Sequence, residues 1–152
     1  MSPYLIWQIK TGEGTGIDIS TFTNTANASL SNSTAVGNMY WKPDGTSLYI
    51  NRFNGSAQIF EYSVGTPFDI STLSYVATRS VPGISIFIYT DVHMSSDGLK
   101  MFSSNHGGVQ AGRIYQHTLN GAWDLSSMTY DGFYDASNEV SKRFGIDISY
   151  YT

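Results

Sequence analysis

One stretch recurs, and the recurrence limits what this chain can fold into more than any bulk property does. Residues 58–75, QIFEYSVGTPFDISTLSY, and residues 113–130, RIYQHTLNGAWDLSSMTY, follow one pattern. Each opens on Ile and an aromatic residue, Ile59-Phe60 and Ile114-Tyr115, and passes a polar, Gly-bearing turn. Each then reaches Asp-(Ile/Leu)-Ser-(Thr/Ser), at Asp69 and Asp124. A worn copy, LIWQIKTGEGTGIDISTFT, stands at residues 5–23, with Ile6-Trp7 and Asp18 in the same places. A unit repeated in tandem buries its apolar faces by stacking on its neighbours, so the repeat decides the architecture.

Ahead of each full copy lies an Asp-Gly turn between apolar runs, Pro43-Asp44-Gly45-Thr46 and Ser96-Asp97-Gly98. Such a pair marks a hairpin, because a tight primed turn needs positive φ. The two Asp-Gly turns are 53 residues apart, and Asp69 and Asp124 are 55 apart. Strands are therefore expected at 36–42, 47–53, 57–64 and 73–80, and again at 90–95, 99–104, 113–119 and 128–134. Asn54-Gly55-Ser56 reads as a turn, 84–89 as an apolar insert without an assigned place, and 105–112 as a Gly-rich loop. In Asp-Ile-Ser the side chains accept from backbone N–H groups two residues on and pin a turn. In the third strand Phe60, Tyr62 and Val64 share one face, with Ile59 on the other. No segment carries a sustained helical period.

Four short antiparallel strands in a repeat of roughly 40–50 residues is the signature of a propeller blade. The expected fold is all-β: β-propeller blades of four antiparallel strands in one repeat domain spanning 1–152. It comprises a half-blade at 4–25, full blades at 36–80 and 84–135, and a closing strand at 145–152. In that tail Ile146-Asp147-Ile148 aligns with the first-strand residues Met39-Tyr40-Trp41 and Val92-His93-Met94. A β-sandwich bearing an accidental repeat is the rival architecture.

The segments PDGTSLYI with IFEYSVGTPFDISTLSY, and SDGLKMF with IYQHTLNGAWDLSSMTY, resemble a propeller-type repeat of bacteriophage and some bacterial proteins. Its pattern is a Ser/Pro-Asp-Gly hairpin, then Ile-Tyr-x-Tyr, then Trp-Asp-Ile-Ser. The resemblance covers residues 36–135 well and 4–25 and 144–152 in part. It implies blades, and a non-catalytic structural role in a virus particle.

Two full units and parts of a third fall short of the four to eight blades of a closed ring. An open stack leaves apolar faces and strand edges bare. Self-association repairs this. In a two-fold dimer the strand 145–152 of one chain completes the half-blade 4–25 of the other, giving six blades. Ile6, Trp7, Ile146 and Ile148 are the expected interface residues.

Composition narrows the function classes. The chain has 152 residues and no Cys, which removes disulfides and thiolate chemistry. Eight basic against twelve acidic residues give a net charge of −4, without the Lys/Arg clusters of a nucleic-acid surface. No run is long and apolar enough to span a bilayer, and the start lacks the regions of a signal peptide.

Candidate chemistry is sparse. The three histidines, His93, His106 and His117, match no metal-ligand spacing. Asp18, Asp69 and Asp124 recur at one repeat position, which favours turn-pinning over acid–base work. Asp91 and Asp147 lie beside first strands, where axial residues of a propeller would sit. Gly12, Gly14 and Gly16 lead into a strand rather than the helix a phosphate cradle needs. Tyr40, Trp41, Phe87 and Tyr89 fit packing better than a sugar platform. Asn105 and His106, in the Gly-rich loop, are the candidate ligand residues. No enzyme activity, metal or cofactor is expected.

The sequence thus points to a virion structural protein made in the host cytoplasm, most simply a capsid-surface knob. Its expected partners are a second copy of itself and other virion proteins such as the major capsid protein. A carbohydrate-binding adhesion module or tail-fibre component, meeting a host-surface glycan, is the alternative.

Overall fold

A computed structural model describes residues 30, 36–52, 55–87, 91–105 and 107–138. The expected half-blade 4–25 and closing strand 145–152 lie outside the described residues. So do Ile6, Trp7, Asp18, Ile146, Asp147, Ile148, His106 and Tyr89.

The two Asp-Gly hairpins open two matching sheets. The first contains β1 (Val36–Trp41), β2 (Ser47–Arg52), β4 (Gln58–Val64) and β5 (Leu73–Ser80). The second contains β7 (Val92–Met94), β8 (Lys100–Asn105), β9 (Arg113–Leu119) and β10 (Met128–Asp135). All pairings are antiparallel and each sheet runs as a meander, in the order β1-β2-β4-β5 and β7-β8-β9-β10. A third pairing joins β3 (Gly55–Ser56) to β6 (Ile86–Phe87). That pairing gives the apolar insert a place: the backbone of Gly55–Ser56, expected in a turn, is extended there. Among the described residues the fold is all-β, broken only by single 3-10 turns at Ile70–Thr72, Gly108–Gln110 and Leu125–Ser127.

Each sheet is locked by a contact between its two signature turns. Asp44 Oδ1 accepts from the N–H and hydroxyl of Thr46 at 3.0 and 2.6 Å, and Asp97 Oδ1 accepts from the Leu99 N–H at 3.0 Å. Gly45 and Gly98 follow with φ of +72° and +71°. At the same end of each sheet, Asp69 Oδ1 accepts from Ser71 N at 2.9 Å, and Asp124 Oδ1 from Ser126 N at 2.9 Å. The residues just before, Phe68 and Trp123, take the left-handed conformation, φ 63° and 66°. This is uncommon for bulky residues, and the reason is visible: it lays each ring over the glycine of the opposite turn. The Phe68 N–H donates to Gly45 O at 3.1 Å and the Trp123 N–H to Gly98 O at 2.9 Å. A Cβ on either glycine would stand 2.5 Å from the ring. Glycine is thus required for φ and for space at once.

The strands alternate as pleating demands, and the two faces of the first sheet feed different cores. Leu48, Ile50, Phe60, Tyr62 and Val64 form one cluster, with Leu30, Trp41 and Leu73 against it. Tyr49, Ala57 and Ile59 point the other way and pack on Val92, Met94, Met101, Tyr115 and Leu119 of the second sheet. The sheets therefore meet face to face. Trp123 is central to the junction: its ring stacks on Tyr40 and Tyr49, cross-strand neighbours in the first sheet, at 6.3 and 6.5 Å. The Tyr49 hydroxyl donates to Trp123 O, and the Tyr40 hydroxyl to Met94 O, each at 3.3 Å. Asn38 Nδ2 donates to Asp91 Oδ1 at 3.3 Å, linking β1 to the approach of β7. Burial pushes the Tyr49 phenol up to about 12.

Candidate functional site

The residues singled out from the sequence are not brought together. His93 lies on β7 with its ring edge against Tyr40 at 5.2 Å. His117 lies on β9, fully buried, 5.6 Å from the Tyr130 ring. Its Nε2 is 2.8 Å from Pro82 O, in the connection between the sheets, while its buried Nδ1 has no hydrogen-bond partner among the described residues. Desolvation pushes its pKa below the usual histidine value, so the neutral ring, with hydrogen on Nε2, donates to the carbonyl. Asp69 and Asp124 sit at sheet ends, held ionised by the serine hydroxyls and N–H groups they accept from. Among the described residues no three His, Cys, Asp or Glu gather as metal ligands would.

Asn105 is the last residue of β8 and is fully buried. Its Oδ1 accepts from Gly107 N and its Nδ2 donates to Gln110 Oε1, each at 3.4 Å. Its side chain therefore organises the loop that follows. Tyr40 belongs to the junction between sheets, and Trp41 packs on the first-sheet cluster and 5.5 Å from Phe68. Both serve packing, as their alternation suggests.

The open feature lies elsewhere. On the side of the second sheet turned from the first, Phe102, Ile114, Gln116, Asp131, Phe133 and Tyr134 line a groove of about 310 Å³. Strand register explains it. Pairing between β10 and β9 shifts between Tyr130 and Gly132, a bulge that re-aims Asp131. Its Oδ2 accepts from Gln116 Nε2 at 2.8 Å, Thr118 Oγ1 at 2.7 Å and Lys100 Nζ at 3.2 Å. Those donors, Gln116 and Thr118 foremost, hold the carboxyl down to about 2. The groove thus presents a fixed anion beside aromatic and aliphatic surface, with Tyr134 57% exposed.

No sequence motif marks this groove. Phe102 and Ile114 look like any alternating strand residues, and Asp131 stands where the first copy has Val76. That exchange of an apolar residue for a carboxylate between copies was the available signal. No family model, curated protein or solved structure matches the chain.

Proposed function

We propose that this chain is a non-catalytic structural component of a bacteriophage particle, built of propeller blades and seated on the capsid surface after synthesis in the host cytoplasm. The observation that carries the reading is the repeated clasp. The residues that recur between copies, Asp44-Gly45 with Phe68-Asp69 and Asp97-Gly98 with Trp123-Asp124, are all occupied in holding sheets together. A repeat whose recurrent positions are structural offers a surface, not a reaction centre. The meander order within each sheet favours blades over a sandwich, whose Greek-key strands cross between sheets. The resemblance of the Asp-Gly and Trp-Asp-Leu-Ser segments to a phage repeat supplies the setting. The partners in this reading are a second copy of the chain and the major capsid protein. Reconstruction of a particle containing the chain tests it: density for paired meander sheets on the shell is expected, and purified particles lacking the chain would refute the placement.

A second reading has one observation in its favour. Aromatic rings beside a carboxylate and an amide, as in the groove of Tyr134, Phe102, Asp131 and Gln116, suit sugar hydroxyls and sugar faces. A carbohydrate-binding adhesion module or tail-fibre component would show glycan-array binding that disappears in Asp131→Ala.

A further inference from the structure

The two sheets are copies, so each surface of one has a counterpart on the other. Offsets of 53 residues from the Asp-Gly turns and 55 from the Asp-Ile/Leu-Ser turns align Tyr49 with Phe102 and Ile59 with Ile114. In the first sheet this face is covered: Tyr49 is 3% and Ile59 0% exposed, both packed against the second sheet. In the second sheet Phe102 and Ile114 are partly exposed and line the open groove. Polar positions correspond as well. Asn51 and Ser104 are both buried, and Glu61, bonded to Arg79 at 2.9 Å, aligns with Gln116, bonded to Asp131. The aromatic pair Tyr40 and Tyr49, which receives Trp123, has its counterpart in His93 and Phe102. One face, with one chemistry, is therefore covered by the next repeat unit in one copy and, among the described residues, lacks such a cover in the other.

We propose that a second copy of this chain docks on the Phe102–Ile114 face of the second sheet. The proposal rests on the propeller reading, and it assigns the self-association to a surface. The occupant follows from the precedent inside the chain, because the matching face is closed by a unit of the same repeat. The sequence holds one further copy of that unit at residues 5–23, where Ile17 precedes Asp18 as Trp123 precedes Asp124. Among the described residues no third four-stranded sheet covers the face. A two-fold pairing makes the same contact twice, so both copies are satisfied and the assembly closes instead of growing. A buried face of this kind uses apolar centre and polar rim. Phe102 and Ile114 form the centre, and Gln116, Asp131 and Lys100 the rim.

The natural absence of Cys allows a footprint by single thiols. Tyr134→Cys places a thiol in the groove at an exposed position, and Val109→Cys, at a site 97% exposed on the loop after β8, is the control. Maleimide labelling is followed from nanomolar to high micromolar protein, with mass read by light scattering. Twice the chain mass at high concentration, with labelling slowed several-fold at residue 134 but not at 109, is the expected result. Phe102→Asp should then restore one-chain mass, with its melting curve checked against the parent. A single-chain mass throughout overturns the proposal, and so does a dimer whose residue 134 labels freely. Slowed labelling in dilute single chains on adding a glycan that binds the groove also overturns it, in favour of the carbohydrate reading. Loss of the virion placement with a dimer intact would refute the proposed function alone.

Discussion

Replacing Gly98 by Ala tests the clasp most sharply. An L-residue at φ +71° costs about 1–2 kcal/mol through the clash of Cβ with its own carbonyl. The new Cβ would also stand 2.5 Å from Nε1 and Cε2 of Trp123, so the ring must move. That ring is held by stacking on Tyr40 and Tyr49 and by the Trp123 N–H to Gly98 O bond of 2.9 Å. Aromatic pairs contribute about 0.5–1.5 kcal/mol each, and a hydrogen bond about 1 kcal/mol. The smaller unfolded-state entropy of Ala returns about 0.4–1 kcal/mol. The net loss expected in urea unfolding, followed by far-UV circular dichroism, is about 2–4 kcal/mol. In a Trp123→Ala background the ring is gone, and the same glycine change should cost only about 1 kcal/mol. Equal losses in both backgrounds would refute the view that glycine and ring act as one unit.

Four other outcomes follow from the same contacts. Trp123→Ala should lower the melting temperature more than Phe68→Ala, because Trp123 bridges the sheets while Phe68 is 58% exposed. Tyr49→Phe removes the hydroxyl bond to Trp123 O and should cost about 0.5–1.5 kcal/mol without shifting the strands. Stability should fall in two stages on acidification. The folded state binds a proton on buried His117 less readily than the unfolded chain does. Stability is thus complete above the ordinary histidine value of 6.5 and declines as pH drops below it, until the folded ring also protonates. The hydrogen bond to Pro82 O and, after it, the charge of Asp131 favour the protonated ring and limit that decline. His117→Tyr, which installs the residue of the first copy, Tyr62, should abolish this stage in pH-dependent melting curves. The second stage comes from Asp44 and Asp131, held down to about 2, with Asp69, Asp97 and Asp124 also lowered. Their stabilisation is present at neutral pH and is lost as pH falls below the ordinary carboxylate value through their own.

Particular elements show what each level of description contains. Local turn chemistry is readable because it is written in adjacent residues. Gly45 and Gly98 supply positive φ, and Asp69 and Asp124 accept from the N–H two residues on. Strand alternation is readable for the same reason, so Phe60, Tyr62 and Val64 fall on one face and Ile59 on the other. The insert at 84–89 was not, since its pairing partner, Gly55–Ser56, lies in another segment that by itself reads as a turn. Asn105 looked like a loop residue because Gly-rich sequence follows it, yet the ladder to Arg113 extends through it and buries it.

The amino-acid order by itself determined the repeat, the all-β class, the eight strands of the two four-stranded sheets and their Asp-Gly and Asp-Ile/Leu-Ser turns, all of which depend on neighbours in the chain. Tertiary structure alone decided that the glycine of one turn seats the aromatic ring of another. It also decided that Trp123 joins two sheets, that a β10 bulge aims Asp131 into a groove, and that equivalent faces differ in cover. Each of these joins residues far apart in the chain, and local pattern carries no information about which distant surfaces meet.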